Sequence, residues 1–148
     1  MRFREITKAD IEPILRVRTS TIENSFSRAE LAEIGITKDS LADWLDGTVR
    51  GWVCEISGRI EGFIMADGQS AEILVIALSP GYEGKGIGRR LMEKAQSWLY
   101  SLGHQWLWLW SNPDQAVRAH GFYRKLGWKP TGEINGNNEK LVLENHSQ

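Results

Sequence analysis

A chain of 148 residues with 41% hydrophobic and 25% charged residues can fold as one domain around a full core, and its balance excludes disorder. Eighteen basic against nineteen acidic residues leave a formal charge of −1, which excludes a generally basic nucleic-acid binder. The single cysteine, Cys54, excludes an internal disulfide and a Cys-rich zinc site; His104, His120 and His146 lack ligand spacing, so no metal is expected.

In chain order, residues 2–6 read as a short strand, and Thr7-Lys8-Ala9-Asp10 as the entry to a helix carrying Ile11, Ile14, Leu15, Val17 and Ile22. Residues 27–34 and 37–45 read as two short helices, the first stopped by Gly35 and the second capped by Thr37. The period then changes to two. Residues 49–56 and 59–66 form a hairpin through Ser57-Gly58, and the apolar run 71–78 reads as a central strand buried on both faces. A glycine-rich segment, residues 81–88, opens a helix whose apolar stripe is Ile87, Leu91, Met92, Ala95, Trp98, Leu99 and Leu102. A strand at 106–110, a helix at 114–126 and a hairpin of 128–134 with 140–143 complete the chain. Hairpins mixed with β-helix-β crossovers imply a mixed α/β sheet flanked by helices, in one domain over residues 1–148. With no long apolar stretch at the N-terminus and no run of about 18 apolar residues, the expectation is a cytoplasmic protein without signal peptide or membrane span.

A strand, a glycine loop and an amphipathic helix make an anion cradle. Glycines let backbone N–H groups approach a phosphate, and the helix start adds its positive dipole end. Neither the P-loop nor the GxGxxG spacing fits: from Gly84 the glycines fall at Gly86 and Gly88, and Arg89 stands where GxGxxG needs its last glycine. Glu83-Gly84-Lys85-Gly86-Ile87-Gly88 instead resembles the Gln/Arg-x-x-Gly-x-Gly/Ala loop of the GNAT superfamily of N-acetyltransferases, with Glu83 in place of the usual Gln or Arg. Residues 119–128, Ala-His-Gly-Phe-Tyr-Arg-Lys-Leu-Gly-Trp, resemble the same family's A-x-x-F-Y-x-K-x-G-F block. The likeness covers residues 49–134.

The resemblance implies a mostly antiparallel GNAT-like sheet and acetyl transfer from acetyl-CoA to an amine. It implies that Gly84, Lys85, Gly86, Ile87, Gly88 and Arg89 hold the diphosphate, with the Glu83 side chain pointing outward. The pantetheine arm would pair with a strand edge opened by a bulge around Ile76, Ala77 and Leu78, with an N–H near Leu78 polarising the thioester. The family's asparagine before the second block falls on Ala116, and the nearest asparagine, Asn112, is the candidate in its place. Tyr123 holds the position of a general acid for the leaving thiolate, its alternative being an amphipathic core aromatic. Glu72, the one charge in its strand, is the candidate general base; a solvated carboxylate at a strand start is the equal alternative. Strict alternation places it on one face with Leu74, Ile76 and Leu78. Dimers are frequent in the family, so a homodimer is the expectation from likeness; neither nucleic acid nor membrane is expected as a partner.

Trp106, Trp108 and Trp110 share a strand face, read first as packing against a helix and second as an aromatic wall for an acceptor. Cys54 reads as buried and inert. Residues 19–48 carry six acids against two bases, an acidic face that would steer a cationic amine or be merely solvated. Nothing in the sequence names the amine. The competing function is a noncatalytic acyl-CoA sensor on the same fold.

Overall fold

The computed structural model describes residues 1–20, 27–111 and 118–145. Strand β1 (Arg2–Glu5) leads through a 3₁₀ turn (Lys8–Asp10) into α1 (Ile11–Ser20). The turn is fixed by Asp10, whose carboxylate accepts the Thr7 N–H at 2.8 Å. Ser27 and Thr37 cap α2 (Arg28–Glu33) and α3 (Lys38–Asp46) by accepting the amides of Glu30 and Ser40. β2 (Val49–Ile56) and β3 (Arg59–Asp67) form the expected hairpin, with Ser57 and Gly58 at φ 54° and 78°, the paired positive values of a type I′ turn. β4 (Glu72–Leu78), α4 (Ile87–Ser101), β5 (Trp106–Ser111), α5 (Arg118–Lys125), β6 (Lys129–Asn135) and β7 (Asn138–Glu144) follow.

The strands make one seven-stranded sheet in the order β1-β2-β3-β4-β5-β7-β6. Every neighbouring pair is antiparallel except β4 with β5. This is the mixed, mostly antiparallel α+β sheet that the sequence led us to expect. Helices α1–α3 cover one face through Ile14, Leu15, Val17, Leu31 and Leu41 on Val53, Phe63 and Met65. Helix α4 covers the other through Ile87, Leu91, Met92, Ala95 and Leu99, with Tyr123 of α5 and Trp128 in the same cluster. No described helix is long and apolar enough to cross a membrane.

Four details depart from the reading of the sequence. First, β4 is only half buried along most of its length, because its edge toward β5 is mostly unpaired. Second, the bulge lies at Leu74: Val75 faces Met65 and Ile73 faces Ala66, which leaves Leu74 as the extra residue, upstream of the expected Ile76–Leu78. The bulge turns both Leu74 and Val75 into the α1–α3 core. Glu72 therefore shares its face with Leu74, Val75 and Ala77, while Ile76 and Leu78 pack toward α4. Third, among the described residues the tryptophans of β5 join neither helix-covered cluster. Leu107 and Leu109 take the α4 side, and Trp106, Trp108 and Trp110 face the opposite way, with Trp106 52% exposed. Fourth, Leu102, expected on the buried stripe of α4, lies beyond its end and is 52% exposed.

Candidate active site

The sheet opens between β4 and β5. Their ladder holds a single register pair, Glu72 with Trp108, tied by the Trp108 N–H to the Ala71 carbonyl at 3.2 Å. Beyond that pair the strands diverge toward the glycine loop. Ser79 N–H bonds the Glu61 carbonyl at 2.8 Å, so the hydrogen-bonded pairs of the β3–β4 ladder fall on Ser79, Ala77 and Val75. The N–H and C=O of Ile76 and Leu78 consequently point into the split. Ala77 turns its amide to β3 and its side chain into the α1–α3 core, so it does not join them.

At the mouth of the split the chain turns through Gly81, Gly84 and Gly86, at φ 90°, 75° and 81°, values that glycine alone adopts freely. No atom within 4 Å would meet a Cβ at Gly84 or Gly86, so their conformation rather than crowding requires glycine. The first helical bond of α4 runs from Arg90 N–H to the Gly86 carbonyl at 3.1 Å, which leaves the N–H groups of Ile87, Gly88 and Arg89 without helical partners. No acidic side chain stands in that first turn. Gly88 serves another purpose: a Cβ there would sit 3.3 Å from the Phe122 ring of α5. The Glu83 carboxylate folds back to accept the Gly81 N–H at 3.0 Å, leaving the cradle's own amides uncovered. Lys85 lies 6.0 Å from the Tyr82 ring centroid beside this cradle, whereas Arg90 is stacked 4.2 Å over Phe3.

The loop is braced from below by Glu61, which the sequence did not single out. It is the extra residue of a bulge between β2 and β3, which turns its carboxylate inward until the residue is only 8% exposed. The carboxylate accepts the Ser79 hydroxyl at 3.0 Å, bonds the Tyr82 hydroxyl, and faces the Arg16 and Arg59 guanidinium groups at 3.5 and 3.7 Å. Burial pushes its pKa upward, but the Tyr82 and Ser79 bonds and the two arginines hold it below the ordinary value. Both ends of the turn into the glycine loop thus hang on one ionised group.

Glu72 stands at this split, and Tyr123 lies on the other face of the sheet, in the cluster under α4. Cross-strand pairing sets a row on the α1–α3 face: Val49, Asp67, Glu72, Trp108 and Val142. Burial raises the pKa of Glu72, the charge of Asp67 raises it further, and Lys140 opposes them. Beside this row lies a cleft of about 360 Å³ between α3 and the strands, lined by Asp43, Trp44, Val49, Asp67 and Leu74. Tyr123 is 8% exposed, with Phe122 and Trp128 edge-on to its ring at 5.3 and 6.4 Å. Burial pushes its hydroxyl up to about 12. Cys54 is fully buried and its thiol is raised by that burial, in keeping with an inert role. Asn112 lies outside the described residues.

The arrangement can hold a diphosphate on main-chain N–H groups, pair an amide-bearing arm with the β4 edge, and present a carboxylate at the closed end of the split. Comparison with known proteins gives the family and the fold. The model of the acetyltransferase (GNAT) family matches residues 12–128. An uncharacterized N-acetyltransferase of Methanocaldococcus jannaschii is 30% identical over 94 residues, 57% of this chain and 41% of that protein. One from Mycobacterium bovis is 36% identical over 78 residues, 51% of this chain and 49% of that protein. The matched segments thus span less than half of either curated relative. The crystal structure of PaiA N-acetyltransferase from Thermoplasma acidophilum in complex with coenzyme A superposes with a TM-score of 0.83 at 19% identity, over 98% of this chain and all of that one. The ribosomal-protein-alanine N-acetyltransferase of Brucella melitensis gives 0.74 at 16% identity, over 97% of this chain and 99% of that one. At these identities the structural likeness is one of fold.

Proposed function

Since this chain belongs to the GNAT family of acetyltransferases, we propose that it transfers the acetyl group of acetyl-CoA to a primary amine by direct attack, with Glu72 as general base and Tyr123 as general acid. The observation that carries this reading is the open β4 edge. The free N–H groups of Ile76 and Leu78 run from the glycine-capped start of α4 to Glu72 at the closed end of the split.

In this reading the coenzyme diphosphate rests on the amides of Gly84 to Arg89, with Lys85 and Arg89 adding charge. The pantetheine amides pair with the β4 edge as an added strand. Ile76 N–H, the exposed donor nearer Glu72, polarises the thioester carbonyl and holds the oxyanion that forms on attack. The amine arrives as an ammonium and must lose a proton before it can attack. Glu72, with its basicity raised by burial, takes that proton directly or through water. Collapse of the tetrahedral intermediate expels the coenzyme thiolate on the opposite side, where the Tyr123 hydroxyl, fully protonated at neutral pH, supplies its proton.

The test combines melting and turnover. Acetyl-CoA at about 100 times its dissociation constant should stabilise the protein by about 2.7 kcal/mol. A panel of amines should release free thiol, and Tyr123→Phe should lower kcat about a hundredfold while leaving the melting shift intact. An unchanged melting temperature at millimolar acetyl-CoA overturns the reading. A full melting shift with no thiol released to any amine would point to the sensor.

A further inference from the structure

We propose that the acceptor is an unbranched alkyl ammonium, and that its charged end rests on the Trp108 indole beside Glu72, in the seat that Lys140 holds in this structure. The inference builds on the acetyl-transfer reading and names the acceptor class for that site.

The seat is built, not merely exposed. Helices α1 and α3 pack on β2, β3 and β4, so the tryptophan face of β5 lies just past their cover. Trp108 is fixed there in one orientation: its indole N–H donates to the Ser70 carbonyl at 2.9 Å, and Trp110 abuts it edge-on at 6.1 Å and 88°. The Ser70–Ala71 turn that supplies this anchor holds Ala71 at φ 66°, a conformation non-glycine residues rarely adopt. The same residue's carbonyl takes the Trp108 main-chain N–H. Trp108 and Glu72 are register partners in a parallel ladder, so their side chains leave the sheet on the same face.

That seat already holds an ammonium. Lys140 stands opposite Trp110 on β7, on the same face, and its Nζ lies 4.6 Å from the Trp108 ring centroid. Its charge reaches Glu72, where it favours the ionised carboxylate. The only ion pair it makes among the described residues is a long one, 4.0 Å, to exposed Glu133. A primary ammonium on a four-carbon stem, over an indole and beside the candidate base, has the chemistry the reaction asks of its acceptor. Lys140 is long and lightly tethered, so a free alkyl ammonium can take its place. The same geometry disfavours α-amino acids. Their carboxylate, one carbon from the amine, would be brought against Glu72 and Asp67, whose charges repel it.

The probes are n-pentylamine and alanine, and the variants Lys140→Met, Trp108→Leu and Trp108→Phe. Binding of n-pentylammonium is read by isothermal titration without coenzyme, so the seat is tested apart from the chemistry, and acetyl-CoA melting shifts are read in parallel. Lys140→Met should tighten n-pentylammonium binding about threefold or more, and Trp108→Leu should weaken it by a similar factor. Trp108→Phe, which keeps an aromatic face, should recover most of the loss. Thiol release with alanine should be at least about tenfold less efficient than with n-pentylamine. Binding within twofold of the parent in both Lys140→Met and Trp108→Leu, or a preference for alanine, overturns the seat even if acetyl-CoA still shifts the melt. The reverse pattern, the expected n-pentylammonium changes with no acetyl-CoA shift, leaves the seat standing and overturns acetyl transfer.

Discussion

At the scale of single residues, Glu72 and Tyr123 are held away from their ordinary titration ranges by the same force, removal from water, which acts on them for opposite ends. In the proposed reaction a carboxyl with raised basicity is a better proton acceptor, and a phenol pushed up to about 12 keeps at neutral pH the proton it would give. The pH dependence of kcat at saturating amine follows. Its acid limb should lie above the ordinary glutamate value of 4.5, because burial first and Asp67 second favour protonated Glu72. No descending limb from Tyr123 should appear below pH 10, since that hydroxyl titrates near 12. Glu72→Gln should erase the acid limb and lower kcat/KM by about 10² to 10⁴. It should also stabilise the protein at neutral pH. A folded pKa above the unfolded one means that the folded state binds the proton more tightly. Stability from this group is thus greatest below pH 4.5 and falls as pH rises through the folded value. Melting temperature and kcat/KM at pH 7 should therefore move in opposite directions; a lower melting temperature in Glu72→Gln would contradict the assignment.

At the scale of elements, the glycine loop separates conformational need from ligand need. An alanine at Gly86 must hold φ near 81°, which costs about 1–2 kcal/mol and lowers the melting temperature by roughly 3–8 °C. Gly58, at φ 78° in the β2–β3 turn, carries the same cost with no cofactor role. Both alanine variants should lose similar stability, and only Gly86→Ala should also lose most of its acetyl-CoA melting shift. Equal retention of that shift would remove Gly86 from the cradle. Such loops are legible from sequence because their signals are local: a buried strand, glycines at fixed spacing, then an amphipathic helix. The described strands and helices were legible for the same reason; Ile22 and the start of the helix expected at 114–126 lie outside the described residues. The bulges at Leu74 and Glu61 were not legible, since an extra residue in a ladder is decided by the partner strand and leaves no mark on its own hydrophobic pattern. The first carried Glu72 to the other face from Ile76 and Leu78, and the second turned Glu61 from an ordinary strand glutamate into the brace of the loop. Period two correctly put three tryptophans on one face of β5, but which face meets a helix is settled by Leu107 and Leu109 against α4.

At the scale of the molecule, the sheet has a sealed half, β1 to β4, between two helical layers, and a half-open one, β5 to β7. The proposed base, Glu72, lies at the seam. Stability that serves no catalytic purpose should therefore sit far from the seam, and the β1 edge offers a place to test this. Arg4 on β1 grips Asp10 through two bonds of 2.7 and 2.9 Å and also bonds Glu55 of β2, joining the edge strand to the start of α1. Asp10 is buried and its pKa is lowered, chiefly by the Arg4 hydrogen bonds and further by the Thr7 amide, against the effect of burial. A depressed folded pKa places this stabilisation above the unfolded value near 3.8 and removes it as pH falls through the lower folded value. Asp10→Asn should then lower stability at pH 7 by about 2 kcal/mol, the scale of hydrogen bonds to a charged group. The gap to the parent protein should narrow as pH drops below 3.8, because the parent loses there what the variant never had. The acetyl-CoA dissociation constant, measured well below both melting temperatures, should be the same in the two proteins. A stability gap that stays constant down to pH 2, or a weakened grip on acetyl-CoA, would show that the edge clamp and the split are one cooperative unit rather than two.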